Sequence, residues 1–470
     1  MEKVKVCFQT TDQQLQELYD LAEEKLKKNL RRFGKWHVLI EGGGYNKVWL
    51  ETQPMGGAMY AKRDLQAALD NQKIFMDNQR EDGRFPGSIE CLDSRVVPQF
   101  DKLQGFCFPD PALDVYYLTG KDPDYLDQLL ETLEKFDRYL WKYRDSDGDG
   151  CLESWCRYDT GEDEAVPYGD APNYWIGEDP PEHYRLVPIA SMDVMSYSFS
   201  ARKVMAQILE LKGRTEAAQD LRMRAVRIRR KIHDYLWDEE RGSLFDRDRL
   251  HKRMPELIHN PLRAMYWGSM EPADAQRFVR DHLLNEQEFW TRMPLPSVAV
   301  NDPAFCNETV NNWSGQSQAL TYQRAIRALE NYGYYDLIVK LGRKLFDAIL
   351  KKKRFVQQYD PFTMEPSLIG VDGDQDAYGP AMLAVLEYIS RMFGVHVERD
   401  RLIWGTVPAG QSHIDECTYV QEFEGHRYRI ANNGKKAAAY IDGREIFTAS
   451  ANMRIETDMQ GHVLRKYQVI

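Results

Sequence analysis

No stretch of this 470-residue chain is apolar enough to span a bilayer, and Met1 to Thr10 hold no apolar signal core. Cysteine is sparse and unpatterned, at positions 7, 91, 107, 151, 156, 306 and 417. No pair has zinc-finger spacing, and Cys151 and Cys156 have neither a histidine nor a second cysteine pair as company. Reduced thiols in a cytoplasm are therefore expected, with no cofactor and no metal. Asn307-Glu-Thr and Asn312-Trp-Ser match the glycosylation pattern and are read as chance matches without a signal peptide. Basic residues are in the minority: 62 Lys and Arg face 73 Asp and Glu, for a net charge of −11. That balance excludes a general nucleic-acid binder, which needs a basic face.

What the chain does have is aromatic surface: 10 Trp, 26 Tyr and 19 Phe. Aromatic faces stack on the C–H faces of sugars, and they also fill cores. The partner expected is a small carbohydrate, with no membrane and no nucleic acid.

Apolar residues recur at helical spacing as far as about residue 395. Leu15, Leu18, Ala22, Leu26 and Leu30 form one stripe; Leu126, Leu129, Leu130, Leu133, Phe136 and Leu140 form another. Further stripes follow at Val204 to Leu211, Leu221 to Ile232 and Leu337 to Leu345. Long polar loops separate them, the longest from about Arg144 to Pro188. Twelve helices, each taking roughly 30 residues together with its connection, would use this length, enough for six helical hairpins closed into a barrel. From Arg401 the pattern changes to short strands, with turn signals at Asn432-Asn-Gly, Asp442-Gly and Gln460-Gly. The fold expected is mainly α, an (α/α)6 barrel over residues 1–397, followed by a small antiparallel β module over 398–470.

Hydrolysis of a glycoside needs two carboxyl groups, and in so acidic a chain position must select them. Tyr45-Asn-Lys-Val-Trp-Leu-Glu and the turn-rich Gln79-Arg-Glu-Asp-Gly-Arg-Phe-Pro-Gly offer Trp49, Glu51 and Arg84 as sugar contacts, or as structural residues of a helix start. Gln104-Gly-Phe106 fits a subsite wall or core packing equally. Asp145-Ser-Asp-Gly-Asp-Gly-Cys-Leu-Glu begins like a calcium loop, but Cys156 stands where an EF-hand needs its bidentate Glu. A tight acidic turn and a nonstandard calcium site both stay open. Tyr158-Asp-Thr-Gly-Glu-Asp-Glu lies in the longest loop, where a cleft-facing acid belongs; a surface acidic loop is the alternative. Asn312-Trp-Ser-Gly-Gln316 leads into a long helix that Asn312 could cap, with Trp313 free to stack on a sugar.

In this order, over roughly residues 40–395, these segments resemble the glycoside hydrolase clan of trehalases and processing α-glucosidases, families 37 and 63. The resemblance implies an inverting, exo-acting α-glycosidase, α-glucosidase-like. Asp159-Thr-Gly-Glu-Asp-Glu is similar to the stretch that carries the clan's general acid, and the match falls on Asp163. Asn312-Trp-Ser-Gly resembles its substrate segment. Phe355-Val-Gln-Gln-Tyr-Asp-Pro resembles the segment of the general base, yet this chain has Gln357 at that position. An amide cannot deprotonate water. Four accounts stay open: an engineered Glu→Gln change; another carboxylate, with Glu365, Asp374 and Asp376 nearest in sequence; inorganic phosphate replacing water, as in a glycoside phosphorylase; or a carbohydrate-binding protein without catalysis. Trp49, Glu51, Arg84, Gln104, Phe106, Asn312, Trp313 and Gln316 are the residues expected to shape the sugar pocket.

Overall fold

The computed structural model describes residues 5–367, 375–410 and 415–470. Among these are twelve α-helices: α1 Gln13–Lys27, α2 Gln53–Tyr60, α3 Leu65–Met76, α4 Pro109–Leu118, α5 Pro123–Tyr143, α6 Met192–Leu211, α7 Thr215–Lys231, α8 Asn260–Trp267, α9 Pro272–Phe278, α10 Ala319–Asn331, α11 Tyr335–Lys352 and α12 Gly379–Phe393. Local chemistry starts many of them. Asp12, Asp64, Asp122 and Ser191 accept hydrogen bonds from first-turn amides of α1, α3, α5 and α6. Proline opens α4, α5 and α9, where its missing N–H costs nothing.

The even-numbered helices touch one another in sequence, α2 to α4, α6, α8, α10 and α12, and α12 returns to α2. The odd-numbered helices lie outside them, α3 against α2 and α4, α5 against α4 and α6, α11 against α10 and α12. Burial follows this division. All eight residues of α8 and fourteen of fifteen in α12 are buried, while α7 buries only Ala218, Ala225 and Ile228. A helix surrounded by protein must be tolerable on every face, whereas an outer one needs a single apolar stripe. That explains why the clearest sequence periodicity marks outer helices such as α1 and α5. It also explains why the buried α2 and α8 do not stand out, while α9, an outer helix, has only seven residues in which to show a stripe.

The β region consists of two antiparallel sheets. One runs in the order Val6–Thr10, Cys417–Phe423, His426–Asn432, Lys436–Ile441, Arg444–Ser450. The other runs Val395–Glu398, Arg401–Gly405, Met453–Asp458, Val463–Gln468. Trp404 joins their inner faces, its ring 5.8 Å from Phe447 and 6.5 Å from Tyr428. Asp442 and Gly443 both have positive φ, 52° and 81°, which the two-residue hairpin turn requires. The sheets do not respect a division at residue 397. The strand Val6–Thr10, far upstream, pairs with Cys417–Phe423, because an edge strand can come from any part of the chain. Val395–Glu398, which straddles that boundary, pairs with Arg401–Gly405.

Buried ion pairs tie the sheets to the helices. Glu330 of α10 accepts from Arg454 of the sheet at 2.7 Å and from Arg391 of α12 at 3.0 Å. Glu387 of α12 takes Arg391 and Lys62, each at 2.6 Å. Burial opposes ionisation of Glu330, but the Arg391 and Arg454 guanidiniums outweigh it and hold its carboxyl below the usual range. Among the described residues no helix is long and apolar enough to cross a membrane.

Removing one partner of such a network strands the others. Glu330→Gln is expected to lower unfolding free energy by about 3–5 kcal/mol near neutral pH. The depressed pKa has a definite sign: this stabilisation is present above the unfolded carboxylate pKa and is lost as pH falls through the folded value. Urea unfolding of both proteins at pH 7 and at pH 3 checks it, the difference shrinking at the lower pH.

Candidate active site

A cavity of about 290 Å³ opens among the helix-connecting loops, lined by Glu41, Tyr45, Trp49, Glu51, Gln104, Asp163, Trp313, Gln357 and Tyr378. Nine side chains from six loop segments meet here, so the way each loop is pinned decides the site.

Asp163 comes from the long connection after α5. Two carboxylates earlier in that loop are sunk into the protein and hold it. Asp159, fully buried, accepts from Arg144 Nη1 at 2.6 Å and from the backbone amides of Leu103 and Trp155 at 2.8 Å. Glu162 turns inward against α8, accepting from Asn260 Nδ2 at 2.9 Å, with His259 Nε2 at 3.3 Å and Arg263 Nη1 at 3.4 Å. Glu164 turns outward to Tyr158 and Arg157. Asp163 between them is left facing the cavity, partly buried, and its backbone carbonyl accepts from the Trp313 amide at 2.9 Å. Gly161 makes the turn possible: its φ is +78°, and an added Cβ would stand 2.3 Å from Glu51 Oε2.

Gln357 is placed by a short antiparallel pairing of Ser317–Gln318 with Gln358–Tyr359, extended by the Ala319 amide donating to the Gln357 carbonyl at 2.8 Å. Its neighbour Gln358 donates to the carbonyls of Glu308 and Val310, which brings Asn311 alongside. Asn311 then bridges the two central side chains. Its Nδ2 donates to Asp163 Oδ2 at 2.8 Å, and its Oδ1 accepts from Gln357 Nε2 at 2.8 Å. Tyr45 Oη donates to Gln357 Oε1 at 2.5 Å. Two hydrogen bonds and one amide cap the separation of Asp163 and Gln357 at about 8 Å, within reach of opposite sides of one glycosidic bond.

Three carboxyls share this small space. Burial raises Asp163, the charge of Glu51 adds to that, and the Asn311 bond only partly offsets them, leaving its pKa pushed up to about 7. Burial and the charge of Glu51 push Glu41 well up too, against the Tyr378 hydrogen bond. Burial also raises Glu51, with the Arg324 guanidinium opposing it. Glu51 has both oxygens committed, Oε1 to Gln104 Nε2 and Oε2 to Arg324 Nη2, each at 2.9 Å.

Six of the ten residues expected at the site meet at the cavity: Trp49, Glu51, Gln104, Asp163, Trp313 and Gln357. Four do not line it. Arg84 is buried with its guanidinium 5.9 Å from the Tyr139 ring. Phe106 is fully buried among aromatics, 4.3 Å from the Phe136 ring and 5.4 Å from Phe85. Asn312 accepts from the Ser314 amide at 2.8 Å and supports its own loop rather than capping α10, which starts seven residues later. Gln316 is tied to Asn307, Gln358 and Ser367. Of the alternative base candidates, Glu365 is paired with Lys351 on the surface, Asp376 with Lys25, and Asp374 lies outside the described residues. Glu41, Tyr45, Tyr378 and Asn311 were not singled out. The Gly42-Gly-Gly44 run after Glu41 was the one local signal for the first; Asn311 differs from its neighbour only in the direction it faces.

The acidic loop after α5 closes on itself. Asp145 accepts from the Gly150 amide, Asp149 from Cys151, and Glu153 from Ser146 and Trp155 Nε1. Asp147, Asp149 and His251 approach within 4.8 Å of one another there. All seven cysteines are free thiols.

The comparisons with known proteins place the chain among glycoside hydrolases. The profile of the mannosylglycerate hydrolase MGH1-like glycoside hydrolase domain matches residues 53–375, and the chain belongs to that family. No curated protein sequence matches the chain. A GH63 mannosylglycerate hydrolase from Thermus thermophilus superposes with a TM-score of 0.61 at 18% identity, over 79% of this chain and 100% of that one. Neutral trehalase from Saccharomyces cerevisiae gives 0.57 at 14%, over 78% and 79%. A structure described as a sialidase gives 0.73 at 14% and reaches 97% of this chain, over 42% of its own length. At these identities the solved structures show a shared fold.

Two outcomes follow from the geometry. A carboxyl raised to about 7 loses its proton as pH rises through that value, so any step that needs Asp163 protonated is expected to slow there, a limb in kcat/KM that Asp163→Asn removes. A pH–rate profile of the two proteins on an activated glycoside checks this. Gly161→Ala drives a methyl into Glu51 and shifts Asp163, and is expected to cost on the order of 10²-fold in kcat. Steady-state kinetics at fixed pH measures it.

Proposed function

We propose that the chain is an (α/α)6-barrel glycosidase that removes the terminal sugar of a small α-glucoside or α-mannoside with inversion, using Asp163 as general acid. The observation that carries this reading is Asp163 itself. It is a carboxyl facing a cavity shared with Glu41 and Glu51, its pKa pushed up to about 7, held through Asn311 beside the position where the resemblance places the clan's base. The cyclic contact of the even-numbered helices supports the barrel.

In this mechanism Asp163 Oδ1 carries the proton, because Oδ2 accepts from Asn311 and is best left without one. The glycosidic oxygen takes that proton as its bond to the anomeric carbon breaks. Trp49 and Trp313 give the sugar ring apolar faces, and Gln104 and Glu51 offer polar atoms to its hydroxyls. The pocket's small volume favours exo action on one terminal residue. Its lining holds three carboxyls and no Lys, Arg or His among the described residues, which speaks against inorganic phosphate as the attacking group. Mannose enters the proposal through the family's namesake and glucose through the trehalase and α-glucosidase likeness.

Asp163→Asn tests the acid. Its kcat is expected to fall by roughly 10²–10⁴ on glycosides with poor leaving groups and to stay near that of the unaltered enzyme on α-glucosyl or α-mannosyl fluoride, whose leaving group needs no proton. Equal losses on both substrate types would show that Asp163 is not the proton donor.

A further inference from the structure

Inversion needs a second carboxylate to activate water, and Gln357 cannot supply one. The cavity wall can be followed from Asp163 by its contacts. Asn311, Gln357 and Tyr45 come in turn, joined by hydrogen bonds. The Tyr45 ring then stands edge-on to Tyr378, with centroids 6.3 Å apart, and the Tyr378 hydroxyl donates to Glu41 Oε1 at 2.9 Å. Glu41 is thus a carboxyl of the same cavity as Asp163, linked to Gln357 through Tyr378 and Tyr45.

Among the described residues the other carboxyls at the site are spoken for. Glu51 has a donor on each oxygen, and Asp159 and Glu162 serve the loop. Glu41 is different. Its Oε1 is held by Tyr378, while Oε2 has no hydrogen-bond donor among the described residues and is not sealed from solvent-sized space. Its backbone is fixed: the Gly379 amide donates to its carbonyl at 2.6 Å. Gly42 and Gly43 follow with φ of +75° and +61°, and a Cβ on them would meet Asn29 Nδ2 at 2.2 Å and Tyr378 Cβ at 2.9 Å. A carboxylate with one oxygen anchored, one open to the cavity and a rigid main chain is preorganised for proton transfer.

We infer that Glu41 is the general base of this enzyme, its Oε2 taking a proton from the water that attacks the anomeric carbon. This rests on the hydrolase reading above. In the step, the bond from the anomeric carbon to the leaving oxygen breaks with its electron pair on that oxygen, which receives the Asp163 proton. The water oxygen forms the new bond, and its proton passes to Glu41. The reacting form has the proton on Asp163 and Glu41 ionised, a form that burial and the charge of Glu51 disfavour because they push Glu41 up as well; product leaves with Asp163 ionised and Glu41 protonated, and solvent exchanges the proton back. Gln357 then has a reason to be neutral. A glutamate there would put a fourth carboxyl into a cavity that already holds three, raising the cost of ionising any of them.

The experiment uses the full chain with α-glucosyl and α-mannosyl fluoride, which bypass the acid. Glu41→Gln, which keeps an acceptor for Tyr378, and Glu41→Ala are both expected to lose roughly 10²–10⁴-fold in kcat. Melting temperatures report whether either loss is only a folding defect. Added azide is expected to revive Glu41→Ala at least about tenfold, forming the glycosyl azide of inverted configuration, and to do nothing for Gln357→Ala. An active unaltered enzyme with Glu41→Gln within about threefold of it, or azide rescue at Gln357→Ala instead, overturns the assignment of Glu41 alone. An unaltered enzyme inert toward both fluorides overturns the hydrolase reading and this assignment with it.

Discussion

The site depends on two carboxylates that never touch the cavity. Asp159 and Glu162 sink into the protein on either side of Gly161, one onto Arg144 and two amides, the other onto α8. A buried carboxylate is costly unless fully paired, so each has a single satisfactory position, and the loop has no slack between them. Asp163 is displayed because its neighbours are not free to move. The same loop delivers Asp163's carbonyl to the Trp313 amide, which couples the acid to the wall opposite.

The second constraint is electrostatic. Glu41, Glu51 and Asp163 crowd one small cavity, and among the described residues only Glu51 has a cation directly against it. Burial and mutual repulsion make full ionisation unfavourable, so the cluster holds a proton near neutral pH where ordinary carboxylates have lost theirs. An amide at 357 fits such a cavity as a hydrogen-bonding spacer between Tyr45 and Asn311, whatever group serves the water.

Scaffold and site divide their work. The ring of even-numbered helices is buried on all sides and carries the rigidity. The loops at one end carry the polar groups. The ion network of Glu330, Arg391, Arg454, Glu387 and Lys62 fastens the β region to α10, α12 and the segment after α2. That region receives its edge strand from the start of the chain, so the two ends of the sequence meet across one sheet.

Local pattern was enough for much of this. Outer helices announced themselves because one face is apolar and the other wet, and the hairpins of the β region because Asn-Gly and Asp-Gly admit few other turns. Asp163, Trp49, Glu51, Gln104, Trp313 and Gln357 were legible as loop residues in recognisable segments. What sequence order could not decide was facing. Asn311 and Asn312 are adjacent and chemically the same, yet one bridges the site and the other supports its own loop. Phe106 and Arg84 belong to the right loops and point into the interior. Glu41, Tyr45 and Tyr378 meet only because α12 returns beside the chain's first loop, more than three hundred residues away. Residue type and spacing are properties of neighbours along the chain; which atoms share a cavity is set by packing between segments that are distant in sequence.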